Sequence, residues 1–195
     1  HGSSSFELWS DWKAGQMTRL QGRFTANKIA FISPDHDAPR LSIDWVSGNF
    51  CWHHEEHGWR IDLANMKVSS NGSEWPTRSL GFALRKEQEN APYTLFLGAD
   101  AFNIENLITA LKFRTIDSRT LDHLFATFPK GHASDILLGI RMERPLEWQF
   151  SAKLENLGLL AVNKIPGFSN ISGQIDAGHN GGRLTLDTNK ANAEF

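Results

Sequence analysis

Apolar and polar residues alternate with period two over most of this chain. That rhythm leaves few architectures open, because only a β-strand puts every second side chain on one side. Phe6, Leu8, Ser10 and Trp12 share one face of a first strand, with Glu7, Trp9, Asp11 and Lys13 on the other. A turn at Ala14-Gly15 leads into a second run, Met17 to Ala26. A strand over about Leu41–Trp52 follows a Pro34–Pro39 loop, and Gly58 opens the alternation Trp59-Arg60-Ile61-Asp62-Leu63. Further strands are predicted near Ser79–Lys86, Pro92–Ala99, Ser134–Arg144, Glu147–Leu154, Ser172–Ala177 and Arg183–Thr188. Asn71-Gly72, Arg144-Pro145 and His179-Asn180-Gly181-Gly182 supply turn chemistry between them.

The middle breaks the rhythm. Ile104, Leu107, Ile108 and Leu111 are spaced as on a helix, which predicts one over about 104–113. Asp117 or Ser118 caps a second expected helix to 128, with Leu121, Leu124, Phe125 and Phe128 on one stripe, and Pro129-Lys130-Gly131 ends it. Strands, two short amphipathic helices and more strands make a mainly β, β-dominated α+β chain, not the alternating βαβ of a parallel sheet. Residues 1–5 read as a polar start, and 6–195 as a single domain carrying the insert at 104–128.

Twenty Lys+Arg against 22 Asp+Glu give a net charge of −2, with the basic residues scattered, so a nucleic-acid footprint is not expected. One cysteine, Cys51, excludes an internal disulfide framework. No run approaches the ~18 apolar residues of a membrane span. His1-Gly2-Ser3-Ser4-Ser5 lacks the basic start and apolar stretch of a signal peptide. The first and last residues carry no start or capping signal, and the chain reads as a piece of a longer protein.

Candidate chemistry is sparse. In His53-His54-Glu55-Glu56-His57 the spacing departs from a metalloprotease helix, and the cluster falls between two predicted strands. A hairpin loop would point those side chains into water in divergent directions, so no metal is assigned to them. Glu7/Asp11 and Asp135/Glu143 are possible carboxylate pairs, but each sits on a polar strand face with nothing to bring its members together as acid and base. No nucleophile elbow or phosphate loop is present. Cys51 beside Trp52 is expected to be a buried structural thiol. No catalytic constellation emerges, and neither a cofactor nor an enzymatic activity is expected.

What remains is the alternation itself, rich in its seven Trp and 13 Phe. It suits the inner face of a packed β-sandwich and equally a sheet curled into an open apolar trough, because both need one apolar face per strand.

The order of several motifs is informative. Gly48-Asn49-Phe50-Cys51-Trp52 precedes Gly58-Trp59-Arg60-Ile61-Asp62-Leu63 and Glu74-Trp75-Pro76. Later come Ile165-Pro166-Gly167-Phe168-Ser169-Asn170-Ile171-Ser172-Gly173 and Gly181-Gly182-Arg183-Leu184-Thr185-Leu186-Asp187. In that order they resemble the central region of YhdP-type proteins, members of the AsmA/TamB-like family of Gram-negative bacteria. The likeness covers nearly the whole chain, including Trp9/Trp12 and the insert ending Phe128-Pro129-Lys130-Gly131. The His/Glu-rich stretch 53–57 departs from it.

The resemblance implies an inner-membrane-anchored, periplasm-spanning protein whose curved antiparallel sheet forms an open hydrophobic groove. That groove would move phospholipid toward the outer membrane and support its barrier, without catalytic residues. Expected partners are phospholipid acyl chains, adjacent β segments of the parent chain and envelope proteins, and no nucleic acid. Alternation then nominates the groove residues as Phe50, Trp52, Ile61, Leu63, Phe82, Leu84, Leu95, Leu97, Ile136, Leu138, Ile140, Trp148 and Phe150, with the two helices as lid or decoration. A register slip of one residue in any strand would invert its assignment. The other reading is a closed sandwich that binds envelope partners through its outer surface.

Overall fold

A computed structural model describes residues 2–31, 41–106, 126–127, 129–162, 166–188 and 191–194. The strands are β1 (Ser3–Lys13), β2 (Gln16–Phe31), β3 (Leu41–Glu55), β4 (Gly58–Ser70), β5 (Ser73–Glu74), β6 (Leu80–Arg85), β7 (Thr94–Asn103), β8 (Lys130–Arg141), β9 (Glu147–Leu159), β10 (Gly167–Gly178), β11 (Gly181–Leu186) and β12 (Asn192–Glu194). All join one twelve-stranded sheet in the order β1-β2-β3-β4-β6-β7-β8-β9-β10-β11, with β5 against β4 and β12 against β10. Every pairing is antiparallel. The substantial strand–strand contacts are all between hydrogen-bonded neighbours, so the described strands form a single layer.

Local chemistry explains the meander. Ala14 and Gly15 both take positive φ (49° and 78°), as do Asn71 and Gly72 (53° and 74°), the backbone that a tight two-residue hairpin requires. The polar start belongs to the sheet, since Ser3, Ser4 and Ser5 pair with Asn27, Ala26 and Thr25. β3 runs on through His53, His54 and Glu55, which leaves Glu56-His57 as the turn. The expected loop over 53–57 is therefore mostly strand, because His54 pairs with Trp59 and His53 with Arg60.

The two ends of the strands differ. One end, the short-turn end, carries the connections after β1, β3, β6, β8 and β10, of which those after β1, β3 and β10 are two-residue turns; the other carries the connections after β2, β4, β7 and β9. Near the second end lie residues in the left-handed region, Lys28, Asn65, Asp135, Asn156 and Asn170, at φ of 50–58°. Register shifts accompany Asn65, Asp135, Asn156 and Asn170, marking β-bulges that bend and twist a strand locally. Here too 73–79 folds back along β4: Met66 N–H donates to Arg78 O, and Trp75 N–H to Val68 O. Thr77 is almost wholly buried, its hydroxyl donating to Ala101 O at 2.6 Å. Among the described residues Met66, Val68, Ala83, Ala133 and Ala152 are the buried apolar ones, too few and too small for a two-layer core.

The two expected amphipathic helices are not supported. The described residues there hold a helical turn at 104–106, an isolated helical residue at Ala126 and no longer helix. Residues 107–125 and 128, on which the expectation mainly rests, lie outside the described residues.

Candidate functional site: the two faces of the sheet

Register shows where the candidate groove residues stand. Trp52, Ile61, Phe82, Leu97, Leu138 and Phe150 are successive cross-strand partners from β3 to β9. Beside that row runs another, Trp59, Leu84, Leu95, Ile140 and Trp148. Phe50 opposes Leu63, and Ile136 opposes Ala99, the partner of Leu80, so these also lie on this side. All the nominated residues thus share one face. Toward β1 it continues through Leu20, partner of Trp52, and toward β11 through Ile175 and Leu184.

This face is apolar, and no described residue outside the sheet's own layer packs over it. Its side chains pack sideways as cross-strand pairs, leaving most of the large ones half-buried and Trp148 37% exposed. At the sheet edges Phe6, Leu8, Leu184 and Leu186 are 54–61% exposed. Such a surface is contiguous, unlike the singly scattered apolar residues that a soluble monomer ordinarily shows.

The opposite face is polar. Glu7 faces Arg23 across the ladder, and Asp11 faces Arg19. Arg60 bonds Asp62 at 2.7 Å, and Arg85 Nη2 donates to Glu55 at 2.7 Å. Lys153 reaches Asp135 at 2.6 Å and Arg141 reaches Glu143 at 3.0 Å, so the suspected carboxylate pairs are each matched to a base and not to each other. These hydrogen bonds and charges hold Arg60 and Lys153 above their ordinary values. Cys51 is half-buried on this same polar face, not in an apolar core. Arg19 Nε donates to its sulfur at 3.1 Å, and His53 Nε2 stands 3.2 Å from it. His54 lies on the apolar face, its ring 6.2 Å from that of Trp52. Alternation therefore splits the histidine cluster, and among the described residues no three His, Cys, Asp or Glu come together as a metal site.

A concavity of about 910 Å³ opens on the polar face. Gly81, Ala83, Gly98, Gly139, Ser151 and Gly178 form its floor, with Arg60, Asp62, Arg85, Phe96, Leu137 and Gln149 standing around them. A smaller one of about 450 Å³, lined by Trp9, Gln21, Arg23, Cys51 and Asp62 among others, adjoins it. Sequence reasoning missed this depression, because it arises from small residues that only the register brings side by side. On the apolar face a concavity of about 620 Å³ lies at the short-turn end, around Trp52, Trp59 and Tyr93.

A single-layered, open antiparallel sheet with one continuous apolar face and one charged face defines an all-β protein, among whose described residues no helix is long and apolar enough to cross a membrane. The family model described as YhdP protein matches residues 1–195, and the chain belongs to that family of AsmA-like bacterial envelope proteins. No curated protein and no solved structure matches it.

Proposed function

We propose that this chain is a non-enzymatic, periplasmic segment of a lipid conduit, which shields phospholipid acyl chains on its apolar face as they pass between inner and outer membranes. The observation that carries the reading is the uncovered apolar face, continuous across β1 to β11 with no second described layer on it. Family membership supports the envelope setting. Removing acyl chain from water is worth about 0.8 kcal/mol per methylene, so a chain of about 16 carbons gains roughly 13 kcal/mol gross on such a surface. The attraction has no direction, and a chain can slide from one row of Leu, Ile and Phe to the next without breaking specific bonds. Among the described strands β1 and β11 are the sheet edges, whose ladder groups suit pairing with adjacent β segments of a longer conduit.

Site-specific photo-cross-linking in living cells, within the full-length parent, tests this. The probes go at Phe82 on the apolar face and at Leu137, which is 62% exposed on the other. Phospholipid adducts at Phe82 and none at Leu137 are expected. Protein adducts at Leu137 with lipid at neither site would overturn the conduit reading and favour an envelope-protein interaction module.

A further inference from the structure

The concavity at the short-turn end of the apolar face differs from the rest of that face, because it combines aromatic rings with charges of both signs. Trp52, Trp59 and Tyr93 line it together with Lys86, Glu56 and Glu89. Backbone bonds tie its parts together: Lys86 N–H donates to His57 O at 3.0 Å, and Met142 N–H to Tyr93 O at 2.8 Å. The Lys86 ammonium stands 4.5 Å from the Tyr93 ring centroid and gives one hydrogen bond, to Glu89 O at 3.1 Å. An ammonium has three donors, so capacity for an anionic oxygen remains. Glu55 is occupied by Arg85, whereas Glu56 and Glu89 are exposed carboxylates. His54 and His57 complete the polar rim.

We infer that this concavity is a headgroup station for a zwitterionic, amine-bearing phospholipid, an inference that rests on the conduit reading. The phosphate sits at Lys86, which the Tyr93 ring holds, and the ammonium sits between the Glu56 and Glu89 carboxylates and the Trp rings, which attract cations. The acyl chains run from there onto the row through Leu84, Leu95 and Ile140. Charge complementarity selects this occupant. A headgroup with only negative charge meets two carboxylates without a compensating amine, and one with no charge leaves Lys86 unused.

Binding of the full chain to didecanoyl phosphatidylethanolamine, didecanoyl phosphatidylglycerol and didecanoylglycerol tests the inference, with Glu56→Gln/Glu89→Gln, Lys86→Glu and Leu97→Asp as variants. Exposed ion pairs are weak, so the expected preference of the unaltered chain for the ethanolamine lipid over the glycerol phospholipid is about fivefold at low salt. The double glutamine variant should lose that preference, and Lys86→Glu should bind the ethanolamine lipid no better than didecanoylglycerol. Leu97→Asp should weaken all three alike. Equal binding of the three lipids by the unaltered chain, or a preference untouched by the lip variants, would overturn the headgroup station. If Leu97→Asp still abolished binding in that case, the conduit reading would stand. Binding of no lipid at all would overturn both.

Discussion

The two faces of this sheet share every strand and every hydrogen bond, yet they solve opposite problems. On the apolar face, large side chains meet large side chains across the ladder, Phe82 beside Ile61 and Leu97, so each is half-buried by its neighbours. On the polar face the large apolar residues stand over glycine. The nearest atoms to a Cβ added at Gly139 belong to Phe96, and the nearest to one at Gly98 is Leu137 Cδ2 at 3.5 Å. Phe96 and Leu137 are therefore 45% and 62% exposed. Volume and greasiness have separated: small residues carve a hollow of about 910 Å³ on the charged side, against about 620 Å³ at the short-turn end of the apolar side, which otherwise presents a broad carpet. A surface that only needs to keep acyl chains from water needs area more than depth.

A charge at the centre of the carpet should break the comparison most strongly. Leu97→Asp sets a carboxylate among Phe82, Leu138 and their neighbours, and should cost about 2–3 kcal/mol of stability in urea titration and more than tenfold in lipid binding. Leu137→Asp, one residue from Leu138 but on the other face, should change stability by less than about 0.5 kcal/mol and leave lipid binding intact. Equal losses from the two would mean that the faces are not functionally distinct.

The bulges come next in size. Asn156, at φ 52°, occupies a backbone region that a β-branched residue enters only at a cost. Asn156→Val should destabilise by about 1–2 kcal/mol, whereas Asn156→Gly should be close to neutral, as read by thermal or urea unfolding.

These bulges also show what was legible in the sequence. Alternation places strands well, and antiparallel neighbours inherit each other's phase, so the candidate groove residues fall together on one side. The alternation changes phase at particular residues: Ile61 and Leu63 give way to Met66 and Val68 around Asn65, Phe150 and Leu154 to Leu157 and Leu159 around Asn156, and Phe168 to Ile171 around Asn170. Each switch coincides with an Asn in the left-handed region, so a phase change across an Asn was the available signal for continuing the strand. Without it β4 and β9 read too short. The hollow on the polar face left no such mark, because Gly81, Gly98 and Gly139 are far apart in the chain and become a floor only through register. The His53–Glu55 stretch was misplaced as loop because it is polar on both sides, and polarity alone does not distinguish a turn from a strand whose two faces both meet water.

Filling that hollow should have a smaller effect, of opposite sign. Gly98 has negative or extended φ, and an added Cβ meets nothing closer than 3.5 Å, so Gly98→Ala should stabilise by about 0.4–1 kcal/mol through the unfolded chain. Lipid binding should be unaffected, since the methyl group points into the polar-face concavity. A fall in lipid cross-linking with Gly98→Ala would place the acyl chains on the wrong side for the conduit reading.

The smallest effect is expected where the polar face looks most bonded. Lys153 and Asp135 meet at 2.6 Å, but their side chains are 61% and 64% exposed, so solvent already satisfies both charges. Lys153→Ala should move the thermal midpoint by no more than about two degrees. The hydrogen bond to Asp135 raises the Lys153 pKa above its ordinary 10.5. Such a group lends its stability in full below pH 10.5, and loses it as pH climbs through the raised value. Melting curves of the unaltered chain and of Lys153→Ala should therefore differ slightly at neutral pH and converge in strong alkali. A deficit in Lys153→Ala as large as that of Leu97→Asp, persisting into alkali, would mean that the charged face holds the sheet together. The division of labour between the two faces would then have to be redrawn.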